Sequence, residues 1–309
     1  MQTPYDAVLL MAFGGPTSRE EIRPFLARVL KGIPVPTERV EEVVHHYEAV
    51  GGRSPLNDIT FRQAQALQKT LIDSGVPLRV YVGMRNSKPF FVDTLKQMRD
   101  EGVQNALGFI LSAQQNEAGW QRYQKDVADA RTEAGDSAPA IDYCNGWHAH
   151  PLFIRTWAEQ IRLCFGEIES QAQETPLIFT AHSLPVSMAA RSPYVEQLQT
   201  GARLIAEELG HRHWSLAYQS RSGKPSDPWL EPDILQVIYD LAAQPISQLV
   251  VAPIGFVCDH VEVLYDLDID ARNVAEKLGM HFLRASCPND HPVFIQMMAA
   301  VIKSEIQGK

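Results

Sequence analysis

The chain has 309 residues, enough for two domains at roughly 100–200 residues each. Hydrophobic residues make up 45% and charged residues 21%, while 37 acidic against 28 basic side chains leave a formal net charge of −9. That balance excludes general nucleic-acid binding, which needs a basic surface, but leaves room for a small anionic ligand in a local basic pocket. In chain order, short apolar runs at Ala7–Phe13, Arg79–Gly83, Ala106–Ser112, Leu177–Ala181, Trp214–Gln219 and Leu249–Pro253 predict buried parallel strands. Amphipathic segments at Arg62–Ser74, Pro89–Glu101, Val195–Leu209 and Asp233–Ala243 predict helices between them, and Pro292–Ile306 predicts a last one. Strands alternating with helices indicate parallel sheets covered on both faces. The alternation runs twice, with Asp126–Pro139 read as a helix end and loop, so two similar α/β halves with a cleft between them are expected. The expected division places residues 1–115 in the first half and 116–291 in the second, with a helix over 292–309 packing back on the first.

Cys144, Cys164, Cys258 and Cys287 form neither a Cys-x-x-Cys unit nor a zinc-ribbon spacing, and are expected as buried small hydrophobes in a reduced setting. Met1 to Asp6 has no basic region, and the apolar run after it is too short for a signal core. No apolar stretch approaches the roughly 20 residues of a membrane helix. A cytoplasmic monomer is the expectation.

Two motifs carry the chemistry. In Thr180-Ala181-His182-Ser183-Leu184-Pro185 an apolar strand delivers a histidine at its carboxyl end, where open α/β sheets bind their ligands. Position alone does not separate that role from a loop histidine satisfied by a backbone carbonyl. In Pro253 to Asp270 a second strand delivers a dense polar cluster. Glu262, Asp266 and Asp270 stand four residues apart, so an α-helix would stack them on one face. Such a stripe is either the solvated side of a surface helix or a row of oxygens that passes a dication from one carboxylate to the next. Tyr47 to Leu56 contains Gly51-Gly52, and Phe13-Gly14-Gly15-Pro16 follows the first strand; glycines there permit close approach of a flat ligand. No Gly-x-Gly-x-x-Gly and no Gly-Lys-Ser/Thr is present, which argues against a nucleotide enzyme.

Taken together, Met11–Pro16, Tyr47–Leu56, Tyr81–Arg85, Thr180–Pro185, Gln219–Ser220 with Asp227–Leu230, and Pro253–Asp268 resemble the ferrochelatase family, in its order and over nearly the whole chain. The resemblance implies two Rossmann-like domains, each a parallel sheet flanked by helices, with a porphyrin cleft between them. It places the family's invariant histidine and glutamate on His182 and Glu262, expected to face each other across the cleft. They would handle ferrous iron, the substrate, with Asp266 and Asp270 lining its route on a helix with a π-type irregularity. A neutral imidazole suits both ligation of Fe²⁺ and acceptance of a pyrrole proton near pH 7. His182 is expected in those roles, with Glu262 as its partner. The porphyrin contacts implied are Phe13, Lys31, His46, Tyr47, Ser54 and Tyr123.

The chain departs from relatives at several points. Some relatives that use coproporphyrin place a Tyr where Phe13 stands, and the family often has a His in the stretch that here reads Leu111 to Asn116. Where relatives use arginines for propionates, this chain has Leu30-Lys31 and His46-Tyr47, with Arg28 as another cation. The cysteine spacing does not match relatives that hold an iron–sulfur cluster, so no cluster and no tightly bound cofactor are expected. The compact form and the glycine motifs look most like bacterial coproporphyrin enzymes, so coproporphyrin III giving coproheme is the expected reaction. Protoporphyrin IX, a cobalt chelatase and a passive porphyrin-binding protein are the alternatives.

Overall fold

The computed structural model describes residues 3–168, 173–222 and 227–308. Strand β1 (Ala7–Ala12) is buried at all six positions, the mark of a strand covered on both faces rather than on one. It pairs in parallel with β2 (Arg79–Met84) and β3 (Asn105–Ile110), and β3 pairs with β4 (Ala140–Tyr143), giving the order β2-β1-β3-β4. A second parallel sheet repeats the arrangement with β5 (Leu177–His182), β6 (Trp214–Gln219), β7 (Gln248–Ala252) and β8 (His281–Arg284), in the order β6-β5-β7-β8. In each sheet the connections leave in opposite directions from the central first strand. The crevice beyond the carboxyl ends of β1 and β3, and that beyond β5 and β7, is therefore a topological switch point, where such sheets bind ligands.

Helices α1 (Arg19–Val29), α2 (Thr37–Ala49) and α3 (Leu56–Asp73) join β1 to β2, and α4 (Phe91–Asp100) joins β2 to β3. A π-helical turn at Glu117–Gln121 runs into α5 (Arg122–Ala134) before β4. Helix α6 (Pro151–Gly166) leads into the second sheet, where α7 (Val186–Ala189), α8 (Tyr194–Leu209) and α9 (Ile234–Ala242) follow. Then come α10 (Val261–Leu264), a second π turn at Asp266–Ala271, α11 (Arg272–Lys277) and α12 (Pro292–Gln307).

The six expected strands are present. β4 and β8 have four residues each, too few to show a period, and no expectation covered them. β4 corrects the expected division after residue 115. It pairs with β3 in the first sheet, and α5 packs on α4 through Tyr123, Val127 and Ala130, so the first unit runs on to Tyr143. Helix α12 lies in the groove between α3 of the first unit and α6 of the second. Its Phe294 packs against Trp147 and Phe153, and Arg62 of α3 pairs with Asp290 just before it at 2.9 Å. Lys309 of the expected terminal helix lies outside the described residues.

A separate apolar cluster unites Ile22, Phe25 and Leu26 of α1 with Val44 and Tyr47 of α2 and with Val261 of α10. It closes one flank of the cleft and brings α2 against the polar segment that follows β7.

Candidate active site

β5 is buried until its last residue, His182, which is partly exposed at the carboxyl end. The chain leaving β7 must pass close over that end. Gly255 makes this possible, because a Cβ there would lie 2.5 Å from that of Ala181, while its N–H donates to the Thr180 carbonyl at 3.0 Å. The loop then starts α10, with the His260 Nδ1 accepting from the Glu262 N–H at 3.2 Å as an N-cap. Glu262 is thereby placed in the first turn, and its Oε1 lies 3.8 Å from Nε2 of His182.

The orientation of His182 follows from its other nitrogen. Nδ1 lies 2.5 Å from the Ser183 carbonyl oxygen, which only accepts, so Nδ1 carries the hydrogen. In the neutral ring Nε2 is then an open lone pair facing a carboxylate. At 3.8 Å the two make no hydrogen bond of their own. Two bonds of about 2.1 Å from these atoms to one ion would enclose an angle of roughly 130°, so the pair is spaced to share a small cation.

Buried neighbours hold this spacing. The Tyr194 hydroxyl donates to the His182 carbonyl at 2.9 Å. Gln219, opposite His182 in the sheet, accepts from the Thr180 hydroxyl at 2.8 Å and donates from its amide to the Glu262 carbonyl. Neither Tyr194 nor Gln219 is marked by its own spacing in the sequence. Gln219 falls in a matching segment, whereas Tyr194 carries no signal at all.

The stacking of Glu262, Asp266 and Asp270 on one α-helix, expected from spacing, is corrected to the π-type irregularity that the resemblance implied. α10 ends at Leu264, and the Asp270 N–H donates to the Tyr265 carbonyl at 2.9 Å, the i→i+5 pattern of a π turn. All three carboxylates remain partly exposed. Burial pushes Asp266 up to about 7 against a hydrogen bond from the Ser220 hydroxyl, and the charge of Glu262 adds to the rise. Burial also raises Asp270, helped by Glu42 of α2. Asp268 faces elsewhere: with Asp259 it pairs to the buried Arg284 at 2.6 and 2.9 Å. Among the described residues no group of three or more His, Cys, Asp or Glu is arranged to hold a metal ion. The row is thus a succession of single carboxylates, not a ready-made cage.

His182 and Glu262 stand side by side on one wall, corrected from the expectation that they oppose each other across the cleft. Both come from the second unit, from adjacent strands at its switch point. The first unit approaches this pair through α1 and α2, which pack on Val261, and the Glu262 charge is felt at Tyr47. Phe13, just past β1, exposes 37% of its surface, and its ring meets Phe25 edge-on at 6.2 Å. Tyr47 is 5% exposed behind it, held high in pKa by burial and by the Glu262 carboxylate. Tyr123 is equally buried, beneath the Arg85 guanidinium. Ser54 is buried against Gly15, where a Cβ would come within 2.6 Å of its own. Lys31 is exposed. His46 stacks on Tyr265 at 3.7 Å and 11°, which commits one ring face to the π-turn segment. Gln114, in the stretch where relatives carry a histidine, is buried and donates to the Ile254 carbonyl at 3.3 Å, tying the two switch points together.

The two-unit architecture is that of the metal chelatases. SirB from Bacillus subtilis, solved with Fe³⁺, aligns with a TM-score of 0.59 at 10% identity over 97% of this chain and 95% of its own. CbiX, described as the terminal enzyme for biosynthesis of siroheme in denitrifying bacteria, aligns at 0.53 and 15% identity over 96% and 98%. Likeness at that identity establishes the fold. The ferrochelatase family model matches residues 5–306. A ferrochelatase of Rhodopirellula baltica is 40% identical over 98% of this chain and 87% of its own length. A coproporphyrin III ferrochelatase of Mycobacteroides abscessus is 38% identical over 99% and 90%. The chain belongs to the ferrochelatase family.

Proposed function

We propose that this enzyme inserts ferrous iron into coproporphyrin III, releasing two protons and giving coproheme. The observation that carries the reading is the Nε2 lone pair of His182 set 3.8 Å from the Glu262 carboxylate at the second switch point. Fe²⁺ enters along Asp270 and Asp266, each offering one oxygen, and is stripped of water as it moves inward. The porphyrin lies against Phe13 with its other face toward His182 and Glu262. As the porphyrin nitrogens take the ion over, the Nε2 lone pair that shared it with Glu262 is freed and accepts one pyrrole proton, and the Glu262 carboxylate stabilises the imidazolium; the second proton leaves along the carboxylate row. Four porphyrin nitrogens replace the coordination that the two-residue pair gives up. Lys31 takes a propionate, His46 borders the cleft through its free ring face, and Tyr47, Ser54 and Tyr123 support the porphyrin wall from behind.

Support for coproporphyrin comes from the coproporphyrin III enzymes among the relatives, which align over almost all of this chain. No iron–sulfur cluster or other resident cofactor is part of the proposal. All four cysteines are buried, and burial pushes Cys164 up to about 11 and Cys258 up to about 12. The proposal also takes the chain to act as a cytoplasmic monomer; no helix of the described residues is long and apolar enough to cross a membrane.

The test is anaerobic incubation with Fe²⁺ and either coproporphyrin III or protoporphyrin IX, following the Soret band. The proposal expects kcat/KM at least about tenfold higher for coproporphyrin III, a margin of about 1.4 kcal/mol. Equal rates, or preference for protoporphyrin IX, would overturn the substrate. Insertion only of Co²⁺, and only into sirohydrochlorin, would overturn the reaction.

A further inference from the structure

We infer that Arg85 is a positioning residue that sets the Phe13 ring as the floor of the cleft. The inference rests on the proposed function, because it takes Phe13 to meet the porphyrin face. Arg85 follows β2, where its N–H donates to the Ala12 carbonyl at 3.1 Å and the next N–H, of Asn86, donates to the Phe13 carbonyl at 3.1 Å. Its guanidinium carbon lies 5.4 Å from the Phe13 ring centroid and 5.1 Å from that of Tyr123. The edge of the same group is occupied: Nε donates to Asp126 at 2.7 Å and Nη1 to the Ala118 carbonyl at 3.2 Å. Asp126 is itself held by Arg122 at 2.8 Å.

A planar cation that hydrogen-bonds through its edge while its carbon lies near two rings is a task for arginine and not for lysine. Only 13% of the Arg85 side chain is exposed, and its edge is held by Asp126 and the Ala118 carbonyl, so it is poorly placed to leave for a propionate or an ion. What it does reach is the one ring of this wall that is open. Phe13 is 37% exposed, whereas Tyr47 and Tyr123 are each 5% exposed. Phe25 braces Phe13 on one side, Arg85 on another, and the cleft leaves the rest free. Without the guanidinium the ring would sample other rotamers and lose orientation toward a flat ligand. The effect therefore belongs to porphyrin binding and to KM more than to kcat.

The experiment compares wild type, Arg85→Lys, Phe13→Leu and the double variant, reading KM for coproporphyrin III, kcat, the Soret maximum of bound porphyrin and Tm. Arg85→Lys is expected to keep the pairing with Asp126 and hence Tm, yet to raise KM about tenfold with kcat within about threefold, and to shift the Soret maximum. Phe13→Leu is expected to raise KM by a similar factor, and adding Arg85→Lys to it should change KM less than about twofold, since Arg85 acts through the ring. Additive effects, or an unchanged KM in Arg85→Lys, would overturn the inference. Should Arg85→Lys fail to fold, Asp126→Asn loosens the same guanidinium, and an unchanged KM there refutes it equally. Should wild type insert no iron, the proposed function fails, while porphyrin titration of the same variants still decides the role of Arg85.

Discussion

Replacing Glu262 by Gln removes one charge and keeps the shape of the side chain. The backbone hydrogen bonds to His260 and Gln219 do not involve the carboxylate, so α10 should stay in place. An imidazolium on His182 sits 3.8 Å from the carboxylate, which at an effective dielectric constant of about 20 corresponds to roughly 4 kcal/mol. The two side chains are 30% and 40% exposed, and solvent screening brings that to about 2 kcal/mol. With each 1.4 kcal/mol worth about tenfold in rate, the lost charge alone lowers kcat about 30-fold. Loss of an anionic metal ligand deepens this to about 10²–10³-fold. Anaerobic Fe²⁺ insertion under saturating porphyrin measures it directly. Glu262→Asp, which keeps the charge but retracts it, should fall between the two. A Glu262→Gln variant within threefold of wild-type kcat would refute the reasoning.

Other outcomes follow from the same geometry. Asp266 is neutral below about 7 and charged above it, so kcat/KM for Fe²⁺ should rise about tenfold from pH 6 to pH 8 and stay flat in Asp266→Asn. Because burial raises this carboxyl above its unfolded value of 3.8, its contribution to stability is complete below that value and is lost as pH rises through about 7. Asp266→Asn should therefore raise Tm relative to wild type most at pH 8, less at pH 5, and not below about pH 4. Gln219→Leu leaves the Thr180 hydroxyl without its buried acceptor and the Glu262 carbonyl without its donor. It should cost about 2–3 kcal/mol in urea unfolding and lower kcat more than tenfold; full activity would deny that Gln219 sets the position of Glu262. Arg284→Met leaves Asp259 to the Asn289 amide and Asp268 to Arg272 at 3.9 Å, and should cost about 3 kcal/mol in the same unfolding experiment. Asp268→Asn, unlike Asp266→Asn, should leave the Fe²⁺ dependence of the rate unchanged.

Much of this molecule was legible because its signals are local. Six runs of apolar residues become strands because a covered parallel strand must be apolar throughout, and that is a property of the run itself. Position after such runs made His182 and Glu262 candidates, because the carboxyl ends of adjacent strands converge, and the resemblance to the ferrochelatase family singled them out. β4 and β8 were missed because four residues carry no period, and β4 moved the end of the first unit from 115 to 143. Residues with no motif of their own, such as Tyr194, act through a hydroxyl that meets a carbonyl twelve positions away only after folding.

The amino-acid order by itself thus determined two repeated α/β units and named the histidine and the acidic row. Tertiary structure alone decided that His182 and Glu262 share a wall and that His46 is committed to Tyr265. It also decided that Phe13, and not Tyr47 or Tyr123, presents its ring. The reason is that side-chain exposure and orientation depend on which segments pack together across tens to hundreds of residues, and no window of sequence contains both partners.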